Sequence, residues 1–312
     1  MRPDDWHLTE DLDEFLAHTD AFLRSRPTLH NTPLTTIEKL RRRAAEAPDA
    51  GPTVFGRLES GGEVRAVFYR LASSGRVTLT PLSAEEADTL AARLAGPGPT
   101  PSGVIADHDT ATAFAQAWQR HTGSVPVRDW WGRLHRLGTL TPPEPRPEGR
   151  GRIAAEADQE QVIRWCAEFA ADVGEAPALD AAAWAGTRFA DKRFTFWETP
   201  DGSPVSMAGS TPMLAGMIRV DPVYTPAHLR GRGYAGAVTV QVSRAALEAG
   251  ATDVVLFTNP VNRTSNALYR RIGYVPVTDF MGYDLSRAAP EAGRPRSRPR
   301  SPGATRPVRG GR

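Results

Sequence analysis

Apolar positions recur along this chain with two periods, and the switches between them outline its elements. Residues 11–24 and 36–47 are apolar at helical spacing, and Pro48 stops the second stretch. Residues 54–59 and 63–71 alternate instead, around Ser60-Gly61-Gly62, which predicts a hairpin. A strand follows over 76–82. A helix is predicted over 83–94, with Ser83 as N-cap and Glu86 completing a capping box. The stretch 103–106 reads as strand and 109–121 as helix.

Four prolines between 142 and 147 exclude helix and predict a linker over 141–150. Beyond it the order of elements returns. Residues 158–173 and 179–189 read as helices, and 194–198 and 205–210 as strands flanking the turn Thr199-Pro200-Asp201-Gly202-Ser203. Then come a strand over 214–225, a glycine-rich turn, a helix to about 249, a strand over 253–258 and a helix over 265–272 ended by Gly273. The repeated order predicts two copies of one fold over 1–140 and 151–286, without residue identity between them.

Composition narrows the class. The 312 residues are 40% hydrophobic and 24% charged, the norm for a soluble globular protein. No apolar run approaches a bilayer span, and the polar first residues carry no signal-peptide pattern, so a cytoplasmic protein is expected. The bases are 36 Arg and only 2 Lys, Lys39 and Lys192, a bias typical of GC-rich bacterial genomes. The net charge of +2 conceals a tail, 287–312, with eight Arg and one Glu, leaving the remainder near −5. That Pro/Arg/Ser/Gly-rich tail is expected to be disordered, and it lacks the interleaved aromatics of a specific nucleic-acid reader. The lone Cys166 lies on an amphipathic stretch and reads as a core residue. The seven histidines form no metal pattern, and no metal is expected.

Two segments carry candidate chemistry. In Val223-Tyr224-Thr225-Pro226-Ala227-His228-Leu229-Arg230-Gly231-Arg232-Gly233-Tyr234-Ala235 a strand passes into a helix through two glycines. Glycines there let backbone N–H groups approach an anion, and the helix dipole favours a phosphate. The Walker pattern and the dinucleotide fingerprint are both absent. The second segment runs from Asn259 to Tyr274, with Asn262, Asn266, Tyr269, Gly273 and Tyr274 at regular spacing.

Together, in this order and about 30 residues apart, the two segments resemble the GNAT (Gcn5-related N-acetyltransferase) superfamily over roughly 150–286. Gly231 and Gly233 match its pyrophosphate motif, and His228 departs from it at the first position. The resemblance implies an α/β fold of two tandem GNAT-like domains, each a mixed, mostly antiparallel twisted sheet flanked by helices. It implies acetyl-CoA as cosubstrate and an amine acceptor, with acetyl transfer in a ternary complex by a monomer or homodimer. It implies that Val223, Tyr224 and Thr225 meet the pantetheine arm, with the Val223 amide facing the developing oxyanion. Amides of Leu229, Arg230, Gly231, Arg232, Gly233, Tyr234 and Ala235 would hold the pyrophosphate, and Asn262 and Asn266 would serve the cofactor arm. Tyr269 would protonate the departing thiolate, since a phenol with a pKa near 10 keeps its proton at neutral pH.

Glu198, at the end of a predicted strand, is the first candidate for the general base and Asp221 the second, with a chain of water molecules as the alternative to both. The first half has Thr80-Pro81-Leu82-Ser83-Ala84-Glu85-Glu86 in place of a glycine turn, and its two Glu would repel a pyrophosphate. That half is therefore expected to shape the acceptor pocket, with Trp130 and Trp131 as candidates for its lining, or only to stabilise. The alternative to catalysis is a non-catalytic acyl-CoA-binding or sensor protein on the same fold.

Overall fold

The computed structural model describes residues 5–46, 53–175 and 184–286. The first half runs β1 (Asp5–Thr9), α1 (Leu12–Ser25), α2 (Asn31–Glu46), β2 (Val54–Ser60), β3 (Glu63–Arg70), β4 (Arg76–Leu79), α3 (Ala84–Leu94), β5 (Gly103–Asp107), α4 (His108–Thr122) and β6 (Val127–Leu137). The second runs β7 (Arg150–Ile153), α5 (Gln159–Asp172), β8 (Arg193–Glu198), β9 (Pro204–Ser210), β10 (Met217–Tyr224), α6 (Tyr234–Glu248), β11 (Asp253–Thr258), α7 (Arg263–Arg271) and β12 (Tyr274–Asp284).

Local chemistry accounts for most boundaries. The Asp11 carboxylate accepts from the amides of Asp13 and Glu14 and starts α1. Ser83 and Glu86 form the reciprocal capping box that the sequence predicts for α3. Gly61 and Gly62, both with positive φ, close the β2–β3 hairpin. Helix α2 begins five residues earlier than its apolar pattern suggests, because Pro33 sits in the first turn, where no N–H is needed. The helix expected over 179–189 is not formed over its described part, 184–189. Its described part is a single 3₁₀ turn, Trp184–Gly186, followed by irregular chain, and 179–183 lie outside the described residues, as does the tail 287–312.

Among the described residues, the twelve strands belong to one sheet, ordered β1-β2-β3-β4-β5-β12-β6-β11-β10-β9-β8-β7. The order is symmetric about its centre, and the halves exchange their last strands there. β6 of the first half pairs with β11 of the second, and β12 of the second pairs with β5 of the first. β6 and β12 also pair with each other along most of their length. The fold is thus a tandem duplication whose copies are interlocked.

Alternation along the strands assigns the two faces. On β12, Phe280 joins a cluster with Phe15 of α1 and Ile37 of α2, while its neighbour Met281 joins Phe114 of α4. On β8, Phe196 clusters with Val162 and Trp165 of α5, and Trp197 with Ala237 and Val240 of α6. Helices α1, α2 and α5 therefore cover one face, and α3, α4, α6 and α7 the other.

The proline-rich segment 141–150 is laid against the second half. Thr141 donates its amide to the Ile272 carbonyl at 3.0 Å, and Trp197 Nε1 donates to the Glu148 carbonyl at 3.1 Å. The Arg146 guanidinium lies 5.2 Å from the Trp197 ring centroid. This path explains Gly273, whose φ is +103° and where a Cβ would fall 1.8 Å from the Thr139 carbonyl oxygen.

Candidate active site

Strands β10 and β11 run parallel but pair only from Met217–Arg219 against Asp253–Val255. Beyond Arg219, β10 stays with β9 through Tyr224, whereas β11 stays with β6 through Thr258. A wedge opens between them. A register shift between Val220 and Val223 marks its start, at Pro222, which has no N–H to give a ladder. Val223 faces the cluster under α6, and Tyr224 the opposite cluster under α5.

The wedge leads into the glycine turn. Gly231 and Gly233 both have φ near +80°, and both are exposed. Gly233 is the N-cap of α6, and no side chain caps that helix. In the first half the equivalent helix, α3, is capped by Ser83 and Glu86 on itself. The first-turn amides of α6 therefore stay available to an anion, whereas in α3 the Glu86 amide is taken by Ser83 and the carboxylates of Glu85 and Glu86 oppose one. Arg230 is held back: Nε donates to the Thr225 carbonyl at 2.9 Å, and Nη2 donates to the Asp172 carboxylate. Arg232 is exposed. Thr225 is buried, its hydroxyl 2.9 Å from Ser206 Oγ, and the Tyr224 hydroxyl donates to Glu168 at 2.6 Å. Burial, then the bond to Glu168, pushes the Tyr224 phenol up to about 12.

Tyr269 is buried in the cluster that holds Val220 of β10 and Leu256 of β11, one strand from each side of the wedge. Its ring meets Tyr274 edge-on at 6.0 Å. The two tyrosines differ at their hydroxyls. That of Tyr274 lies 2.7 Å from Ser243 Oγ, whereas among the described residues nothing hydrogen-bonds that of Tyr269. Burial and, next, the charge of Asp221 hold the Tyr269 phenol well above the ordinary value.

Asn262 caps α7, its Oδ1 accepting from the Ser265 amide at 3.0 Å. Asn266 is buried and spent on structure: Nδ2 donates to the Asn259 and Asn262 carbonyls, and Oδ1 accepts from Thr258 Oγ1 at 2.9 Å. His135 of β6 extends this chain, a link invisible in the sequence because a lone histidine carries no motif. Since Thr258 gives its proton to Asn266, His135 Nε2, 3.0 Å from Thr258 Oγ1, must donate. Its Nδ1 is then an acceptor, buried without a hydrogen-bond partner among the described residues. Burial lowers the pKa of His135 and favours this neutral form. A strand of the first half thus anchors the helix that carries Tyr269.

The two carboxylates nominated from sequence sit elsewhere. Glu198 is buried, accepts from Arg152 Nε at 2.5 Å, and lies on β8, two strands from the wedge. Arg152 also pairs with Asp158. Alternation places Glu198 with Phe194 and Phe196 on the α5 face, opposite Tyr269. Asp221 receives hydrogen bonds from Arg188 Nη1 and from Lys192 Nζ. Those cations and Arg219 hold its carboxyl far below the ordinary range despite burial, so it is a poor base. Burial brings Lys192 down to about 8 and pushes the Cys166 thiol up to about 12, in keeping with a core cysteine. Of the tryptophans, Trp131 Nε1 donates to Asp279, and Trp130 is 39% exposed on β6 rather than packed in the core.

Among the described residues, no group of three or more His, Cys, Asp or Glu is placed to hold a metal ion. Among those residues, too, no helix is long and apolar enough to cross a membrane.

The family model for FR47-like proteins matches residues 214–279, the stretch that contains the wedge, the glycine turn and α7. A GCN5-related N-acetyltransferase from Sphaerobacter thermophilus superposes with a TM-score of 0.56 at 18% identity, covering 91% of this chain and 96% of its own. An acetyltransferase of the GNAT family from Colwellia psychrerythraea gives 0.55 at 12%, covering 90% and 99%. A tandem GNAT protein from the clavulanic acid biosynthesis pathway gives 0.51 at 13%, covering 92% and 99%. No curated protein matches the sequence. The chain has the tandem GNAT fold. Within that fold, the uncapped α6 and the splayed β10–β11 pair occur in the second GNAT-like half, and the self-capped α3 marks the first.

Proposed function

We propose that this tandem GNAT protein is an N-acetyltransferase that moves an acetyl group from acetyl-CoA directly to an amine, with 151–286 carrying the chemistry. The observation behind this reading is the wedge between β10 and β11 opening onto the uncapped N-terminus of α6. The wedge leaves strand groups of β10 unpaired on one side, where an extended pantetheine arm can hydrogen-bond. Leu229 and Arg230 already donate their amides to the Pro226 and Ala227 carbonyls, so in this reading the amides from Gly231 to Ala235 surround the pyrophosphate.

In this reading the neutral amine attacks the thioester carbonyl, and the Val223 amide receives the charge that develops on oxygen. The proton shed by the nitrogen passes to solvent water, from which Tyr269 regains the one it gives up. As the carbon–sulfur bond breaks, Tyr269 gives its proton to the departing thiolate. Its hydroxyl is uncommitted and its proton is firmly held, which suits a donor that must wait for a strong base to form. Asn262, the cap of α7, contacts the cofactor arm in this reading, and Asn266 keeps the turn before α7 in shape. Glu198 acts as a strut, because its carboxylate already holds Arg152.

Calorimetry with coenzyme A on the wild type and on Gly233→Glu tests the cradle. Binding by the wild type and its loss in the variant are expected. No binding by the wild type, or equal binding by both, overturns it. Thioester consumption across a panel of amines tests transfer, and binding without any consumption would leave a ligand-binding protein instead.

A further inference from the structure

On the face opposite α6, a pocket of about 500 Å³, open mouth included, lies between α2 of the first half and β9–β10 of the second. Five cations line it: Lys39, Arg42, Arg188, Lys192 and Arg219. Glu38 and Asp191 are the carboxylates of its wall, and Asp221 and Glu175 sit behind, where both are taken up by Arg188. Positive charge remains in excess, and Arg219 is the lining cation with no carboxylate at salt-bridge distance among the described residues. Arg219 makes no ion pair among the described residues, and its Nη1 donates to the neutral Oδ1 of Asn31 at 3.0 Å. Arg42 is half-exposed and faces two carboxylates, with Nε 3.8 Å from Glu38 and Nη2 3.5 Å from Asp191, while its Nε makes no hydrogen bond.

Asp221 acts on Arg219 only from beyond contact distance, so this guanidinium keeps N–H donors to spare, and a planar anion can accept two of them in parallel. The position matters as much as the charge. Arg219 is the last residue of β10 paired to β11, so the pocket meets the wedge at its vertex. From there to Val223 is four residues of strand, about 13 Å at ~3.3 Å each, shortened by the register shift.

We infer that this pocket holds the carboxylate of the acceptor, so that the substrate is an amine bearing a carboxylate several bonds away. The inference rests on the acetyl-transfer reading above and names its substrate class. The first half supplies one wall through α2, which gives the copy without a cradle a part in choosing the substrate.

The test compares 4-aminobutanoic and 6-aminohexanoic acids with their terminal amides as acceptors for the full chain with acetyl-CoA. The acids are expected to be used at least tenfold better in kcat/KM. In Arg219→Gln and in Arg42→Gln that preference should collapse through a higher KM, with kcat and coenzyme A affinity kept. Arg219 also ties α2 to β10, so Arg42→Gln, which leaves that tie intact, answers the question if the first variant does not fold. Equal use of acid and amide, or an undiminished preference in Arg42→Gln, overturns the proposal. If no amine at all is acetylated, the acetyl-transfer reading fails, and calorimetry with 6-aminohexanoic acid decides the pocket separately. Binding that weakens at least tenfold in Arg42→Gln supports a carboxylate site, and no binding by the wild type overturns it.

Discussion

The Arg219 guanidinium donates to Asn31 Oδ1 at 3.0 Å, joining the strand that flanks the wedge to the first turn of a helix from the other half. Thr28 Oγ1 makes a second such tie, donating to Asp253 of β11 at 2.7 Å. With the exchanged strands, these bonds make the halves depend on each other.

Residues 141–286 expressed alone are therefore expected not to fold cooperatively. β12 pairs only with β5 and β6, both from the first half, so the fragment would lose every strand partner of its last strand. Thermal unfolding followed by circular dichroism should show no sharp transition, and coexpression with residues 1–140 should restore one. A two-state transition in the fragment alone would contradict the interlocked arrangement.

Asp221→Asn should destabilise the protein by about 3–5 kcal/mol at neutral pH, because Lys192 and Arg188 lose a shared buried partner. The folded-state pKa of Asp221 lies below the unfolded one, so its contribution is complete above the unfolded value. It fades as pH falls below about 4. Urea denaturation of both proteins should show the gap narrowing below that pH, and a gap that stays constant down to pH 2 would refute the assignment.

Tyr269→Phe keeps the ring that packs on Tyr274 and removes only the hydroxyl, so unfolding should change little. Turnover should fall about 100-fold or more, with coenzyme A affinity preserved. Because burial keeps the phenol protonated beyond neutral pH, the wild-type rate should show no alkaline limb from this residue below pH 10. Equal losses in turnover and affinity would point to a packing role.

Glu198→Gln should lower stability by about 1–2 kcal/mol through the loss of the Arg152 pair. The rate per folded molecule should stay within a few-fold of wild type. A large loss of rate at unchanged melting temperature would make Glu198 the base after all.

Much of this molecule is legible in its sequence where the determining interactions are local. The Ser83–Glu86 box, the Gly61-Gly62 hairpin and the Gly231/Gly233 turn each depend on residues within a few positions of one another, and each is found where the pattern predicts it. Strands β1, β6, β7 and β12 are not announced by the sequence pattern. β6 and β12 are long and bend through register shifts with partners more than 100 residues away, so no local alternation announces them.

By itself the sequence determined most of the helices, the hairpins, the glycine turn and the segment containing Tyr269, because backbone conformation and helix capping are settled by near neighbours. Only the tertiary structure decided the exchange of β6 and β12, the withdrawal of Glu198 and Asp221 into ion pairs, and the cation-lined pocket under α2. Those features depend on which side chains meet across the sheet, and that is set when the two halves close on each other, not by spacing along the chain.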